Sequence, residues 1–116
     1  MRLRYNAALL ELLWAERARG RRIWLVTAAD RRIADAVAAH VGLFAGVLAS
    51  DGAHNLKGTA KLAALRQRFP SGFDYAGNST ADLVLWRAAR HAIVVNAPRR
   101  LIRAACAQAR VIQMIP

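Results

Sequence analysis

The sequence has few cysteines, few aromatic residues and no long apolar run. Its 116 residues include one cysteine, Cys106, which excludes an internal disulfide and is compatible with a reducing compartment, so we expect a cytoplasmic protein. The segment around Cys106, LIRAACAQAR, is typical of a helix face and predicts an inert core thiol. Trp14, Trp24 and Trp86 lie on apolar faces and are predicted to be core residues. No stretch of about 18 apolar residues occurs, so the sequence predicts no membrane-spanning helix.

Acidic residues are scarce, and the formal charge is +11 because arginine supplies 16 of the 18 basic residues. This balance favours an anionic partner such as nucleic acid, a phosphorylated substrate or an acidic membrane surface. The arginines occur in scattered pairs, and aromatic residues do not alternate with them as a base-stacking surface requires. We therefore expect no nucleic-acid partner. An alanine- and arginine-rich composition also explains the charge without any anionic partner.

Short β-branched runs alternate with segments whose apolar residues recur at helical spacing. Asp30 is placed to cap one such helix and Gly42 to end it. Strands alternating with helices of about ten residues predict right-handed βαβ units. The sequence therefore predicts a single α/β domain over residues 1–116, with a Rossmann-like parallel sheet of four to five strands flanked by helices. The predicted strands are 22–28, 45–50, 73–77 and 91–96, and 111–115 fits a fifth.

Polar residues follow several of the predicted strands. Thr27 and Ala28 end the first strand, and Asn78 and Asp82 follow the third. Lys57 lies at the start of a predicted helix. Parallel sheets bind ligands beyond the carboxyl ends of their strands, so these groups are expected at one edge of the sheet. No single residue is diagnostic, because Thr and Asp also cap helices; their joint occurrence indicates a site.

The segments LVTAADRRIADAVAAHVGLFAGVLASDGAHNLKGTAK and FDYAGNSTADL resemble the core of the haloacid dehalogenase (HAD) superfamily. In particular, they resemble the HAD-like domain fused to UbiA-type prenyltransferases. The resemblance covers residues 5–103 and three of the four family motifs. Thr27 matches the second motif, Lys57 the third and GNSTAD the fourth. It implies a Mg²⁺-dependent phosphohydrolase that acts on a phosphorylated small molecule through an aspartyl-phosphate.

The resemblance also implies roles for individual residues. The hydroxyl of Thr27, the backbone amide of Ala28 and the ammonium of Lys57 would bind the phosphate, and Lys57 would also steady the nucleophile as a catalytic residue. Asn78 and Asp82 occupy the metal-side positions and would hold Mg²⁺ through oxygen ligands. The family usually has an aspartate where this chain has Asn78, and losing that charge weakens Mg²⁺ binding. For Asp82 two interpretations stand: a metal ligand, or a residue that caps or braces the following helix.

The family chemistry needs an Asp-x-Asp motif whose first carboxylate is the nucleophile, and this sequence contains no such triplet. Residues 1–20 resemble the helix that follows the cap region in longer relatives. We therefore expect a HAD-like domain that is incomplete at its N-terminus and lacks the first strand and the cap. The flanking strands would then have to rearrange, borrow a strand or pair directly.

Two functions follow from this expectation. The first is a HAD-like phosphohydrolase domain by ancestry that is inactive in this form, with Mg²⁺ bound weakly or not at all. The alternative is a non-catalytic anion-binding or partner-binding module associated with a membrane prenyltransferase. In that case the cytoplasmic chain would reach the membrane through its partner.

Overall fold

The computed structural model describes residues 6–50 and 58–116, and these alternate between helices and strands. The alternation confirms the predicted α/β class, and each strand begins within two residues of its predicted start. The chain divides into two compact units, Met1–Lys57 and Gly58–Pro116. The elements are α1 (Ala7–Ala18), β1 (Trp24–Asp30), α2 (Arg31–Val41), β2 (Gly46–Ser50), α3 (Gly58–Arg68), β3 (Asp74–Gly77), a 3₁₀ turn (Thr80–Asp82), α4 (Leu83–Ala88), β4 (His91–Val95), α5 (Arg99–Gln108) and β5 (Val111–Ile115).

The first unit contains the parallel pair β1–β2, with Trp24 opposite Gly46. The Trp24 ring occupies the space that a Cβ on Gly46 would fill, so this position requires glycine. As predicted, Asp30 caps α2: its Oδ1 accepts a hydrogen bond of 2.9 Å from the backbone N–H of Arg32. Gly42 ends α2 in the left-handed conformation, with φ of 72°, again as predicted.

The second unit contains the parallel sheet β3–β4–β5, whose register places Asp74 opposite His91. Its core forms where α4 and α5 cover β4, because the apolar residues of these elements converge there. Trp86 is the largest side chain in this core and is completely buried. The buried cluster consists of Trp86, Ala92, Val94, Leu101 and Ala105. The fifth strand, β5, is confirmed and pairs with β4.

The strands form two sheets, of two and three strands, where the sequence predicted one. Among the described residues, β1 pairs with β2 alone and β3 with β4 alone, so each is an edge strand. The direct β1–β3 pairing that the sequence left open stays a prediction. Amphipathic spacing identifies strands but does not specify which strand pairs with which, and this accounts for the difference. The single domain over residues 1–116 and its incomplete N-terminus stay predictions.

Two predicted core residues lie at the surface. Cys106 is exposed, because α5 turns Leu101 and Ala105 inward and position 106 lies about 100° further round the helix. Trp14 is 44% exposed, and the Arg17 guanidinium lies 5.2 Å from the centre of its ring. None of the helices within residues 6–50 and 58–116 combines the length and apolar character needed to cross a membrane.

Candidate functional site

The turn after β3 carries the fourth-motif residues. The strand ends at Gly77, the chain passes through Asn78 and Ser79, and one 3₁₀ turn leads to Asp82 and α4. Ser79 is the N-cap, and Asp82 is the third residue of the turn that follows. The Asp82 carboxylate reaches back to the Ser79 backbone N–H, which is the reciprocal contact of a capping box. The S-T-A-D sequence thus supplies both partners of the capping box.

Asp82 is buried, with 7% of its surface exposed, and both of its carboxylate oxygens accept hydrogen bonds. Oδ2 accepts from the Asn78 backbone N–H at 2.8 Å, the Ser79 backbone N–H at 3.0 Å and the Ser79 hydroxyl at 3.2 Å. Oδ1 accepts from the Tyr75 hydroxyl at 3.2 Å. A buried carboxylate is tolerated when hydrogen bonds replace its lost water, and here four of them do so. Asp82 therefore holds the turn to β3 and α4, and this is the bracing role that the sequence left open.

Tyr75 connects this carboxylate to Lys61 on α3. The Lys61 ammonium donates to the Tyr75 hydroxyl at 3.4 Å, and that hydroxyl donates to Asp82. Burial raises the pKa of Tyr75 well above its ordinary value, and the charge of Asp82 and the hydrogen bond to it raise the pKa further. Tyr75 therefore remains a neutral donor at physiological pH. We call Lys61, Tyr75, Asn78, Ser79 and Asp82 the Asp82 network.

The sequence reasoning missed Lys61 and Tyr75. Lys61 follows Lys57 by four residues, which is the spacing of side chains on one helix face, and this signal was available. In a strand, the side chain of Tyr75 points to the opposite face from those of Asp74 and Ala76. This alternation alone does not predict which face of the strand lies next to Asp82. Only the packing of α3 against α4, and of α4 against β3 and β4, makes the two residues neighbours of the carboxylate.

Gly77 makes the close approach of Asp82 possible. A Cβ at position 77 would lie 2.5 Å from Oδ2 of Asp82 and 2.6 Å from its Cγ. Such distances are well inside van der Waals contact, so a side chain at this position would displace the carboxylate or the backbone. The glycine of GNSTAD is therefore required by the carboxylate five residues later.

Thr27 and Ala28 lie in β1, where the strand becomes irregular. The pairing with β2 is regular up to Val26 and resumes with a register shift at Asp30. Between these points the Thr27 Oγ1 accepts a hydrogen bond of 3.1 Å from the Ala29 backbone N–H. A hydroxyl has one donor besides its acceptor sites, and the Thr27 donor bonds to no residue within 6–50 or 58–116. The hydroxyl can therefore still donate to an anion.

The structure brings Asn78 and Asp82 together in one turn, and Thr27 and Ala28 together in one strand segment. Lys57, predicted for both phosphate binding and catalysis, lies outside the described residues. The side chain of Asn78 is exposed, and only its backbone N–H contributes to the Asp82 network. The predicted roles of these five residues in phosphate binding, catalysis and metal binding stay predictions.

The donor set of the turn does not suit Mg²⁺. This ion takes six oxygen ligands in near-octahedral geometry, usually including one or two carboxylates. Both oxygens of Asp82 are already engaged in hydrogen bonds, and Asn78 offers a single neutral oxygen. Within the described ranges, no three His, Cys, Asp or Glu side chains are grouped closely enough to hold a metal ion. The described residues alone thus do not form a strong magnesium site.

Adding Mg²⁺ is therefore expected to leave the melting temperature of the chain unchanged. If a site existed, Mg²⁺ at ten times its dissociation constant would stabilise the folded state by about 1.4 kcal/mol. The resulting rise in melting temperature is readily detected by thermal denaturation. The measurement compares melting curves with MgCl₂ and with NaCl of equal ionic strength. A rise specific to Mg²⁺ and lost in Asp82→Asn would show that Asp82 is a metal ligand.

The fold has a counterpart among solved structures. A crystal structure of a probable phosphoserine phosphatase from Vibrio cholerae, in unliganded form, matches with a TM-score of 0.74 and 14% sequence identity. The match covers 95% of this chain and 38% of that one. At this level of identity the likeness shows the fold alone, which is a Rossmann-like arrangement of parallel strands flanked by helices.

A curated relative is similar in sequence. The protein y4nM of Sinorhizobium fredii, described as uncharacterised, is 47% identical over 94 residues. The match covers 81% of this chain and 18% of y4nM, so the chain spans less than a fifth of that relative's length. No protein-family model matches the chain.

Proposed function

We propose that this chain is a HAD-like phosphohydrolase domain by ancestry that does not hydrolyse phosphate esters with its own residues. The HAD-like fold supports the ancestry. The proposed lack of hydrolysis is supported by the hydrogen bonding of Asp82. A carboxylate nucleophile needs an oxygen free to approach phosphorus, whereas both Asp82 oxygens are engaged and the residue is 7% exposed. Asp82 is therefore a poor substitute for the Asp-x-Asp that the sequence lacks.

Under this proposal the chain keeps the phosphate-binding part of the ancestral chemistry. The Thr27 hydroxyl, the Ala28 backbone N–H and the Lys57 ammonium would hold the phosphate of a small molecule, since donors and a positive charge stabilise its oxygens. The Thr27 hydroxyl donates to no residue within 6–50 or 58–116, which supports this assignment. Asn78 and Asp82 keep the positions of a metal site, and Asp82 would now serve mainly to brace the turn.

The 116-residue chain is expected to show no turnover of phosphoserine or p-nitrophenyl phosphate in excess Mg²⁺, because it contains no Asp-x-Asp nucleophile. Phosphate release is measured against a preparation from cells that carry the empty vector. A phosphatase of known activity provides the positive control in the same buffer.

Turnover above the blank that Lys57→Ala or Asp82→Ala abolishes would overturn this proposal and identify a substitute nucleophile. The genomic DNA upstream provides an independent test of the ancestry. An in-frame Asp-x-Asp followed by a small residue and threonine would show that a nucleophile is encoded beside this chain.

The length of y4nM favours a second proposal, a binding module within or beside a larger assembly. The matched region is 18% of that protein, so most of its chain lies outside the part similar to this one. We propose, from the resemblance to UbiA-associated domains, that the partner is a membrane prenyltransferase and that the chain itself is cytoplasmic. Co-purification of such an enzyme with the tagged chain would support this proposal, and repeated failure to recover one would count against it.

A further inference from the structure

A basic groove lies in the second unit, at the opposite end of its strands from the Asp82 network. It has a volume of about 700 Å³, which is within the usual range of ligand-binding clefts. Its charged lining residues are Arg87, Arg90 and Arg110, with His91 beside them. Its remaining lining is small or neutral: Ala89, Ala107, Gln108 and Ala109. The groove therefore combines open space with cationic walls.

The backbone holds two of these arginines in fixed places. The Arg90 N–H donates to the Phe73 carbonyl at 2.8 Å, and the Arg110 carbonyl accepts from the Ala92 N–H at 2.8 Å. The stem of Arg90 lies along Gly72, with Cδ 3.1 Å from where a Cβ would be. These backbone bonds fix where both arginines leave the chain, and the contact with Gly72 restricts the stem of Arg90. Restricting a side chain before binding lowers the entropic cost of ordering it around a ligand.

The groove is lined by more positive than negative charge. None of its lining residues within 6–50 and 58–116 is acidic. Among the described residues, Arg87, Arg90 and Arg110 form no ion pair, and the nearby Asp74 is paired with His91 at 3.1 Å. Like charges gathered around one space repel each other, and a bound anion converts that repulsion into attraction.

Helix ends give a competing explanation for part of this charge. Arg87 lies in the last turn of α4, where a cation is stabilised by the helix dipole whether or not a ligand binds. Arg90 and Arg110 lie beyond the helices, at the starts of β4 and β5, so the dipole explains them less well. The positions of Arg90 and Arg110 therefore favour a binding site more strongly than that of Arg87.

We propose that this groove binds a small ligand through a chain of two or more phosphate groups. Arginine's planar guanidinium pairs with phosphate oxygens through parallel hydrogen bonds, and three guanidiniums match a compact, multiply charged group. An acidic peptide suits the groove less well, because carboxylates on one face of an extended chain are about 7 Å apart. This second anion site is independent of the Thr27 region and of the proposed loss of hydrolysis.

The test measures binding of inorganic tripolyphosphate to the 116-residue chain by isothermal titration calorimetry at low ionic strength. The double variant Arg90→Gln, Arg110→Gln is expected to weaken binding by about tenfold or more, because it removes two of the three guanidinium groups that line the groove. The matched control is Arg99→Gln, Arg103→Gln on α5, which removes equal charge outside the groove. This control is expected to change affinity by less than about threefold.

Three outcomes would overturn the proposal: no binding by the unchanged chain, equal weakening in both double variants, or equally tight binding of a hexaglutamate peptide. The last would assign the groove to acidic peptides. Circular dichroism establishes that both double variants fold. If the groove variant does not fold, Arg110→Lys replaces it, because lysine keeps the charge and removes the planar fork. Undiminished tripolyphosphate affinity in Arg110→Lys would then contradict the proposed guanidinium contacts.

Discussion

Replacing Asp82 with alanine is expected to lower the free energy of unfolding by about 3 kcal/mol, because four donors lose a charged acceptor at once. Hydrogen bonds to a charged group contribute more than neutral ones, and the half-buried Tyr75 hydroxyl would be left without this acceptor. Asn78 and Ser79 are exposed residues, so their donors can bond to water in the variant, which keeps the loss below the sum of four separate bonds. Urea denaturation followed by circular dichroism measures the change.

The matched control for this variant is Asp35→Ala. Asp35 forms an exposed ion pair of 3.5 Å with Arg31 on α2, so its removal is expected to cost about 0.5 kcal/mol or less. Equal, small losses in the two variants would refute the bracing role of Asp82. Asp82→Asn refines the result, since it keeps the shape and replaces one acceptor with a donor that faces other donors.

Replacing Gly77 with alanine is expected to cost about 2 kcal/mol, because the added methyl group would overlap the Asp82 carboxylate. The contact at 2.5 Å requires either the carboxylate or the strand end to shift, and both are held by hydrogen bonds. The same denaturation experiment measures the loss.

A double-mutant cycle supplies the control for Gly77. In the Asp82→Ala background the carboxylate that the new methyl group would overlap is absent. Gly77→Ala is therefore expected to cost less than about 0.5 kcal/mol in that background. The coupling would then amount to most of the single-variant effect. If the two losses simply add, the destabilisation at Gly77 comes from β3 itself and the proposed clash is wrong.

Local patterns in the sequence predicted the elements well. The β-branched runs, the cap at Asp30 and the glycine at position 42 depend on nearby residues, and the structure confirms each of them. The turn at GNSTAD was also visible, because strand, glycine, small polar residues and acid follow one another directly. The role of Asp82 was open, since a carboxylate at that position can hold either a cation or backbone N–H groups.

Long-range arrangements were not predictable in the same way. The contact between Lys61 and Tyr75 joins residues 14 positions apart and depends on how α3 packs against α4 beside β3. The division of the strands into two sheets depends on pairing partners that periodicity does not encode. The exposure of Cys106 was also missed. Position 106 lies about 100° around α5 from the buried Ala105, and the apolar pattern of the sequence did not separate these two positions.

The complete burial of Trp86 provides an optical reporter for the second unit. Trp14 and Trp24 belong to the first unit, so Trp86 is the one indole between Gly58 and Pro116. Its emission should be blue-shifted in the native state and move to longer wavelength when that unit opens. In a chain carrying Trp14→Phe and Trp24→Phe, fluorescence would follow the second unit while circular dichroism follows the whole chain. A difference between the two unfolding curves would show that the units unfold separately.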